Sequence, residues 1–157
     1  MMINKLKVPF LVVTLMMAIF SALWLWHAWL APQRLDCVGN VVWEIANRRF
    51  AGTLAWRMEQ HKGVVTINGK LKGEGDTVSR ISRNVYFSYE QQNRAHILQN
   101  TRVVKTFADT ANADDLSGTL PAFYDKPGRQ LSLLIDNYTE AWIFATSNVP
   151  SLYCHKR

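Results

Sequence analysis

The chain has 157 residues, 48% of them hydrophobic, and carries 18 Lys and Arg against 12 Asp and Glu for a net charge of +6. That length accommodates one small domain beyond an apolar leader, but not two. The basic residues are scattered over Arg57, Lys62, Arg80, Arg83, Arg94 and Arg102 with no cluster or recognised motif, which predicts a mildly basic surface and excludes nucleic acid as a partner.

The first element is the run Val8–Ala31, which contains no Lys, Arg, Asp or Glu. A helix of that length reaches about 36 Å, enough to cross a bilayer core with some tilt. Lys5 and Lys7 precede it with no acidic residue, and Pro9 suits a first helical turn. Trp24, Trp26 and Trp29 suit the headgroup layer at its far end, and Pro32 cannot continue the helix. The basic entry predicts a cytoplasmic amino terminus over residues 1–7, a transmembrane helix over 8–31 and a periplasmic β-rich domain over 32–157, held at a bacterial inner membrane by a single pass. A cleaved signal has a core of about 7 to 15 residues, so this one reads as an uncleaved signal-anchor. The sole small-residue site, Leu30-Ala31, is followed by Pro32, a poor residue after a scissile bond, and His27 among the tryptophans reads as interfacial. Arg34, Arg48 and Arg49 lie close in sequence to the membrane exit, which leaves attraction to anionic headgroups as a weaker alternative to ordinary solvated charge.

Cys37 follows the span and Cys154 lies three residues from the end. Two cysteines at opposite ends of an exported domain predict one disulfide, which in the chain-entropy model contributes roughly 4 to 5 kcal/mol. Without CxxC spacing, a metal or redox site is the weaker reading.

Between them the periodicity is mostly two. Arg49–Gln60 alternates with Leu54, Trp56 and Met58 on one face, and His61-Lys62-Gly63 makes a turn into Val64–Leu71. Thr77–Glu90 is the longest strand, with Arg83, Val85, Phe87 and Tyr89 on one face and Tyr86, Ser88 and Glu90 on the other. Gln91–Arg94 turns into Ala95–Phe107. Breakers from Ala108 to Gly128 leave room for one short helix over Asp114–Tyr124, capped by Asn112 or Asp114 and carrying Leu116, Leu120 and Phe123. Arg129–Ile135 and Glu140–Thr146 are two more strands about the turn Asp136-Asn137-Tyr138. The expected fold is therefore a single transmembrane helix followed by an antiparallel meander of about six strands, a curled sheet or partly closed barrel with one short helix.

No motif for catalysis, a cofactor or a metal stands out, so neither an enzyme nor a cofactor is expected. His61, His96 and His155 read as a turn, a strand and a tail residue, and Asp114-Asp115 as a helix start. Asn137-Tyr138-Thr139 matches a glycosylation acceptor but reads better as a hairpin turn. Trp43, Trp56, Tyr86, Phe87, Tyr89, Phe107, Phe123, Tyr124, Trp142 and Phe144 either fill the core, the favoured reading, or line a cavity for an apolar small ligand such as a bile salt or lipid.

A basic amino end, one span, a Cys beyond it, Arg83-Asn84-Val85-Tyr86-Phe87-Ser88-Tyr89 in a long central strand and a Cys near the end together resemble the FidL-like membrane proteins of enteric bacteria. The resemblance covers nearly the whole chain. It implies an accessory protein encoded beside a membrane-anchored winged-helix transcription regulator, in the manner of ToxS-type companions of ToxR-type regulators, and it brings no catalytic residues. The expected role is that of a membrane-bound companion whose periplasmic domain binds and modulates such a regulator, by sheet edge or by sheet face.

Overall fold

The computed structural model describes residues 4–30, 34–45, 47–73, 77–116, 119–147 and 149–157. The chain forms two compact units, Met1–Gln33 and Arg34–Arg157.

The first unit is one helix, α1 (Asn4–Leu30), of 27 residues. It starts ahead of the expected boundary at residue 8, so Pro9 lies inside the helix rather than in its first turn. Side chains are described in it from residue 12 to 26, and the large apolar ones, from Val12 through Trp24 and Trp26, are all at least half exposed. Ser21 returns its hydroxyl to the Met17 carbonyl at 2.9 Å, which satisfies a polar group on an otherwise apolar surface. Among the described residues no helix is long and apolar enough to cross a membrane. The side chains of Lys5, Lys7, His27 and Trp29, and residues 31–33 altogether, lie outside the described set.

The second unit is a closed barrel of eight antiparallel strands in chain order: β1 (Leu35–Ile45), β2 (Arg48–Glu59), β3 (Lys62–Lys72), β4 (Val78–Gln92), β5 (Ala95–Lys105), β6 (Gln130–Asn137), β7 (Ala141–Thr146) and β8 (Val149–Lys156). Period-two patterning builds it. Along β2, Phe50, Leu54, Trp56 and Met58 point inward and are buried, while Arg49, Ala51, Thr53 and Arg57 face out. The register carries that face around the wall, pairing Trp56 with Cys37 and Val65, and Val65 with Val85. Gly52 and Gly69 pair across β2 and β3, and a Cβ on Gly69 would come within 2.5 Å of the Phe50 ring, so the bare backbone there is what lets that ring lie flat.

The expectation of six strands and a partly closed sheet is corrected to eight strands and full closure. The two missed strands are the first and last of the barrel. In β1, Gly39 and Asn40 interrupt the apolar alternation, and β8 has Pro150 as its second residue, so neither advertises a strand. Closure itself is short: among the described residues β1 pairs with β8 at Cys37↔Lys156 and Val38↔His155, and the Arg157 N–H donates to the Asp36 carbonyl at 3.1 Å. The Cys37–Cys154 disulfide spans that seam with a Cα–Cα distance of 5.4 Å, and both residues are fully buried. Away from the seam, Lys156 ties β8 to the β6–β7 connection, donating to Asn137 Oδ1 at 2.7 Å and to the Tyr138 carbonyl, and Asn137–Thr139 is the expected hairpin turn.

The expected single helix over Asp114–Tyr124 is instead two short turns, α2 (Ala113–Leu116) and a 3₁₀ turn (Ala122–Tyr124). Asn112 Oδ1 accepts the Asp115 N–H at 2.7 Å, and Asp115 Oδ2 accepts the Asn112 N–H at 3.2 Å, a reciprocal cap that starts α2. Arg34, Arg48 and Arg49 do not form one basic patch. Arg34 pairs with Glu59 at one end of the barrel and Arg49 with Glu44 at the other, because β1 runs the barrel's full height between them.

Tight hairpins leave one local strain that can be read directly. Gln60 and His61 join β2 to β3 with φ of 48° and 64°, a conformation that favours Asn-Gly. Gln60→Asn together with His61→Gly should raise stability by about 1 kcal/mol despite losing the His61 ring beside Tyr89, measured as a shift in urea midpoint.

Candidate functional site: a plugged barrel end with a buried ion cluster

Eight strands enclose an interior just wide enough for side chains to fill, and aromatics fill this one. The Trp56 indole stands edge-on to Phe87 at 5.6 Å, Tyr124 at 6.3 Å and Phe144 at 5.2 Å between ring centres. Tyr124 and Phe123 do not come from the wall. They come from residues 106–129, which cross between β5 and β6 and push Leu116, Leu120, Phe123 and Tyr124 into the core as a plug. Burial drives the Tyr124 hydroxyl pKa well above its ordinary value. Tyr86 and Phe107, grouped with these rings at the outset, face away from the core.

A buried cation holds the plug, and Arg48 adds a part-buried bond from its Nη1 to the Asp115 carbonyl at 3.1 Å. Arg83 lies on the inner face of β4 and is wholly buried, so it is no part of the basic surface it was expected to join. Its Nε and Nη2 donate to the two oxygens of Asp109 at 2.9 and 3.1 Å, and its Nη1 donates to Asp125 Oδ1 at 3.1 Å. Asp109 Oδ2 also accepts the Ser82 N–H at 3.0 Å. Asn100 donates to the Phe123 carbonyl at 2.6 Å, and Ser79 donates to Asp115 at 3.0 Å. Both carboxylates on Arg83 therefore belong to the plug. Arg83 is paired at all three of its nitrogens, while Asn100 Oδ1 is buried without a partner among the described residues, and the chemistry of the group is that of a clasp. The sequence offered one signal for it: Arg83 shares a face with Val85 and Phe87.

Among the described residues the aromatic centre of the barrel leaves little space. A cavity of about 90 Å³ lies among Trp43, Leu54, Trp56, Tyr124, Leu133 and Phe144, well below the roughly 300 Å³ at which small-molecule pockets begin. Trp56 Nε1–H is buried and finds no acceptor among the described residues. A polar recess of about 170 Å³ beside Arg48, Ser79 and Asp115 sits next to the α2 cap. A wide concavity of about 600 Å³ runs over the outer wall past Ser88, Glu90, Gln99 and Gln130.

Of the described histidines, His61 and His96 flank the Tyr89 ring at 5.9 and 6.1 Å between ring centres, and His155 stands apart from them. His61 is in the β2–β3 turn, His155 lies exposed on β8 against Tyr153, and His96 is half-buried on β5, its Nδ1 without a partner among the described residues. Among the described residues no three of His, Cys, Asp or Glu stand close enough to hold a metal ion. Burial lowers the His96 pKa below 6.5, so the fold favours the neutral ring while the unfolded chain protonates first as pH falls. His96 thus costs nothing above about pH 6.5 and subtracts stability as pH drops below it. His96→Gln should flatten the decline in urea midpoint between about pH 7 and 5, and an unchanged slope would assign that decline to other groups.

A family model described as the YqeJ C-terminal domain matches residues 35–154, which is the barrel from the start of β1 to the second cysteine, short of the last two residues of β8. No curated protein and no solved structure matches the chain. The FidL-like resemblance rests on layout alone.

Proposed function

The chain belongs to the YqeJ C-terminal domain family, and from that premise we propose that it is a single-pass inner-membrane accessory protein whose periplasmic barrel binds and modulates a membrane-anchored winged-helix transcription regulator. The observation that carries this reading is the filled interior. With aromatic side chains and the plug occupying the lumen, the outer wall and its edges are the surface left for a partner. The buried Cys37–Cys154 disulfide supports export, since such bonds persist in oxidising compartments. The uncharged run 8–31 supports the anchor, with Lys5 and Lys7 on the cytoplasmic side and Trp24, Trp26 and Trp29 at the opposite headgroup layer. A shared membrane raises effective concentration, so a modest interface suffices.

Crosslinking in native membranes followed by purification of the full chain tests the reading. A membrane-anchored regulator recovered in stoichiometric amount supports it, and recovery without any such partner sinks it. Because both native sulfurs are buried, topology is better read from Thr53→Cys, an exposed position, labelled from the periplasmic side by an impermeant maleimide.

The second reading, an apolar small ligand such as a bile salt or lipid in the barrel, is favoured by one observation, the unpaired Trp56 N–H of the interior cavity. At about 90 Å³ that cavity must enlarge by displacing the plug before it holds such a molecule. A rise in melting temperature with amphipaths would support it, and none would remove it.

A further inference from the structure

β5 is paired on both sides for only half its length. It runs beside β4 from Ala95 to Lys105 but beside β6 only from Ala95 to Gln99. Asn100 closes the paired stretch, donating to the Arg129 carbonyl at 2.9 Å and accepting the Gly128 N–H at 2.7 Å. From Thr101 to Lys105 no described strand lies on the side away from β4. The phase of this edge is set by Thr106, whose N–H donates to the Ser82 carbonyl at 2.9 Å. Antiparallel alternation then turns the N–H and C=O of Val103 and Lys105 outward, off the open side.

Two features distinguish this edge from an ordinary frayed end. Phe107, just beyond it, is fully exposed, and Val104 on the strand is 38% exposed. The turn that projects Phe107 is held from below, because Asp109 is clamped by Arg83 and by the Ser82 N–H. A backbone turn fixed by a buried ion pair loses little freedom on binding, so only the Phe107 side chain has to be ordered. The second feature is charge. Arg102, Lys105 and Arg129 surround the edge, and none has a carboxylate partner among the described residues; Arg102 lies over the Tyr86 ring at 4.6 Å. Pairing with a second copy would set these cations against themselves, which disfavours self-association, whereas an acidic strand would neutralise them.

We infer that the Thr101–Lys105 edge of β5 takes up an extended acidic segment of a partner protein as an added strand, with Phe107 as its apolar anchor. The inference deepens the companion reading above by naming the surface and the chemistry of what binds there.

The test uses the full chain in nanodiscs and a fluorescent peptide of alternating Glu and Val, with a Lys-for-Glu peptide and a backbone N-methylated peptide as controls. The acidic peptide should bind and slow amide exchange at Val103 and Lys105, and both controls should fail. Phe107→Ala, which removes no buried contact, should weaken binding by about tenfold with an unchanged melting temperature. Lys105→Pro, which deletes an outward N–H, should abolish the protection. Equal binding of the Lys peptide, no binding of the acidic one, protection elsewhere, an unaffected Phe107→Ala, or protection of these amides without peptide through self-pairing would each overturn the inference. A regulator crosslinked through another face with this edge unprotected would overturn the edge and leave the companion reading standing. Edge protection by the acidic peptide with no regulator recovered from membranes would do the reverse.

Discussion

Arg83→Met should destabilise the barrel by about 3–5 kcal/mol, the cost of leaving a buried charge without its partner. Asp109 is wholly buried with Arg83, and Asp125 is largely so. Removing the guanidinium strands Asp109 in the interior with only the Ser82 N–H as a donor. The expected melting temperature falls on the order of 10–20 °C. The pattern of the loss is as informative as its size. Because the carboxylates sit on the crossing segment, amide exchange should rise first at Thr110 and Asp125, which bond to Arg80 and Ala122, while the β2–β3 ladder stays protected. Arg83→Met with Asp109→Asn should recover part of the stability by removing the orphaned charge. A loss below about 1 kcal/mol for Arg83→Met would mean that the cluster does not clasp the plug.

Removing the disulfide should cost about as much by a different route. Cys37 and Cys154 are 117 residues apart, and in the chain-entropy model a loop of that size contributes roughly 4 to 5 kcal/mol through the unfolded state. Cys37→Ala with Cys154→Ala should lower stability by about 2–5 kcal/mol in urea titrations. The native state should change too. Among the described residues two strand pairs and the bond from the Arg157 N–H to the Asp36 carbonyl join β1 to the β8 end besides the sulfur bridge, so exchange at Val38 and Arg157 should approach that of an open sheet edge. Wild-type protein under reductant should behave as the double variant once unfolding exposes the sulfurs. An unchanged seam in the variant would show that β-pairing alone closes the barrel.

How far the sequence carries is clearest strand by strand. β2, β3, β4 and β5 were legible because each alternates apolar and polar residues over its own length and ends in residues that adopt turns, such as Asn93 with a φ of 56°. The cysteine pair was legible because their number and placement at the two ends of the domain leave one partner each. β1 and β8 were not, since their inward face is partly glycine or half of a disulfide, and what makes them strands is each other. Arg83 could be placed on the inner face of β4 by period alone, yet its burial depends on Asp109 and Asp125, 26 and 42 residues further on.

By itself, then, the sequence determined the strands with strong local alternation, the uncharged run at the amino end and the cysteine pair, because each is written in neighbouring residues or in a simple count. Only the tertiary structure decided that the sheet closes, that a loop fills the lumen, that a buried arginine clasps it and that half of β5 lies open. Those outcomes depend on contacts between residues tens to more than a hundred positions apart, and period-two patterning states which face is buried without saying against what.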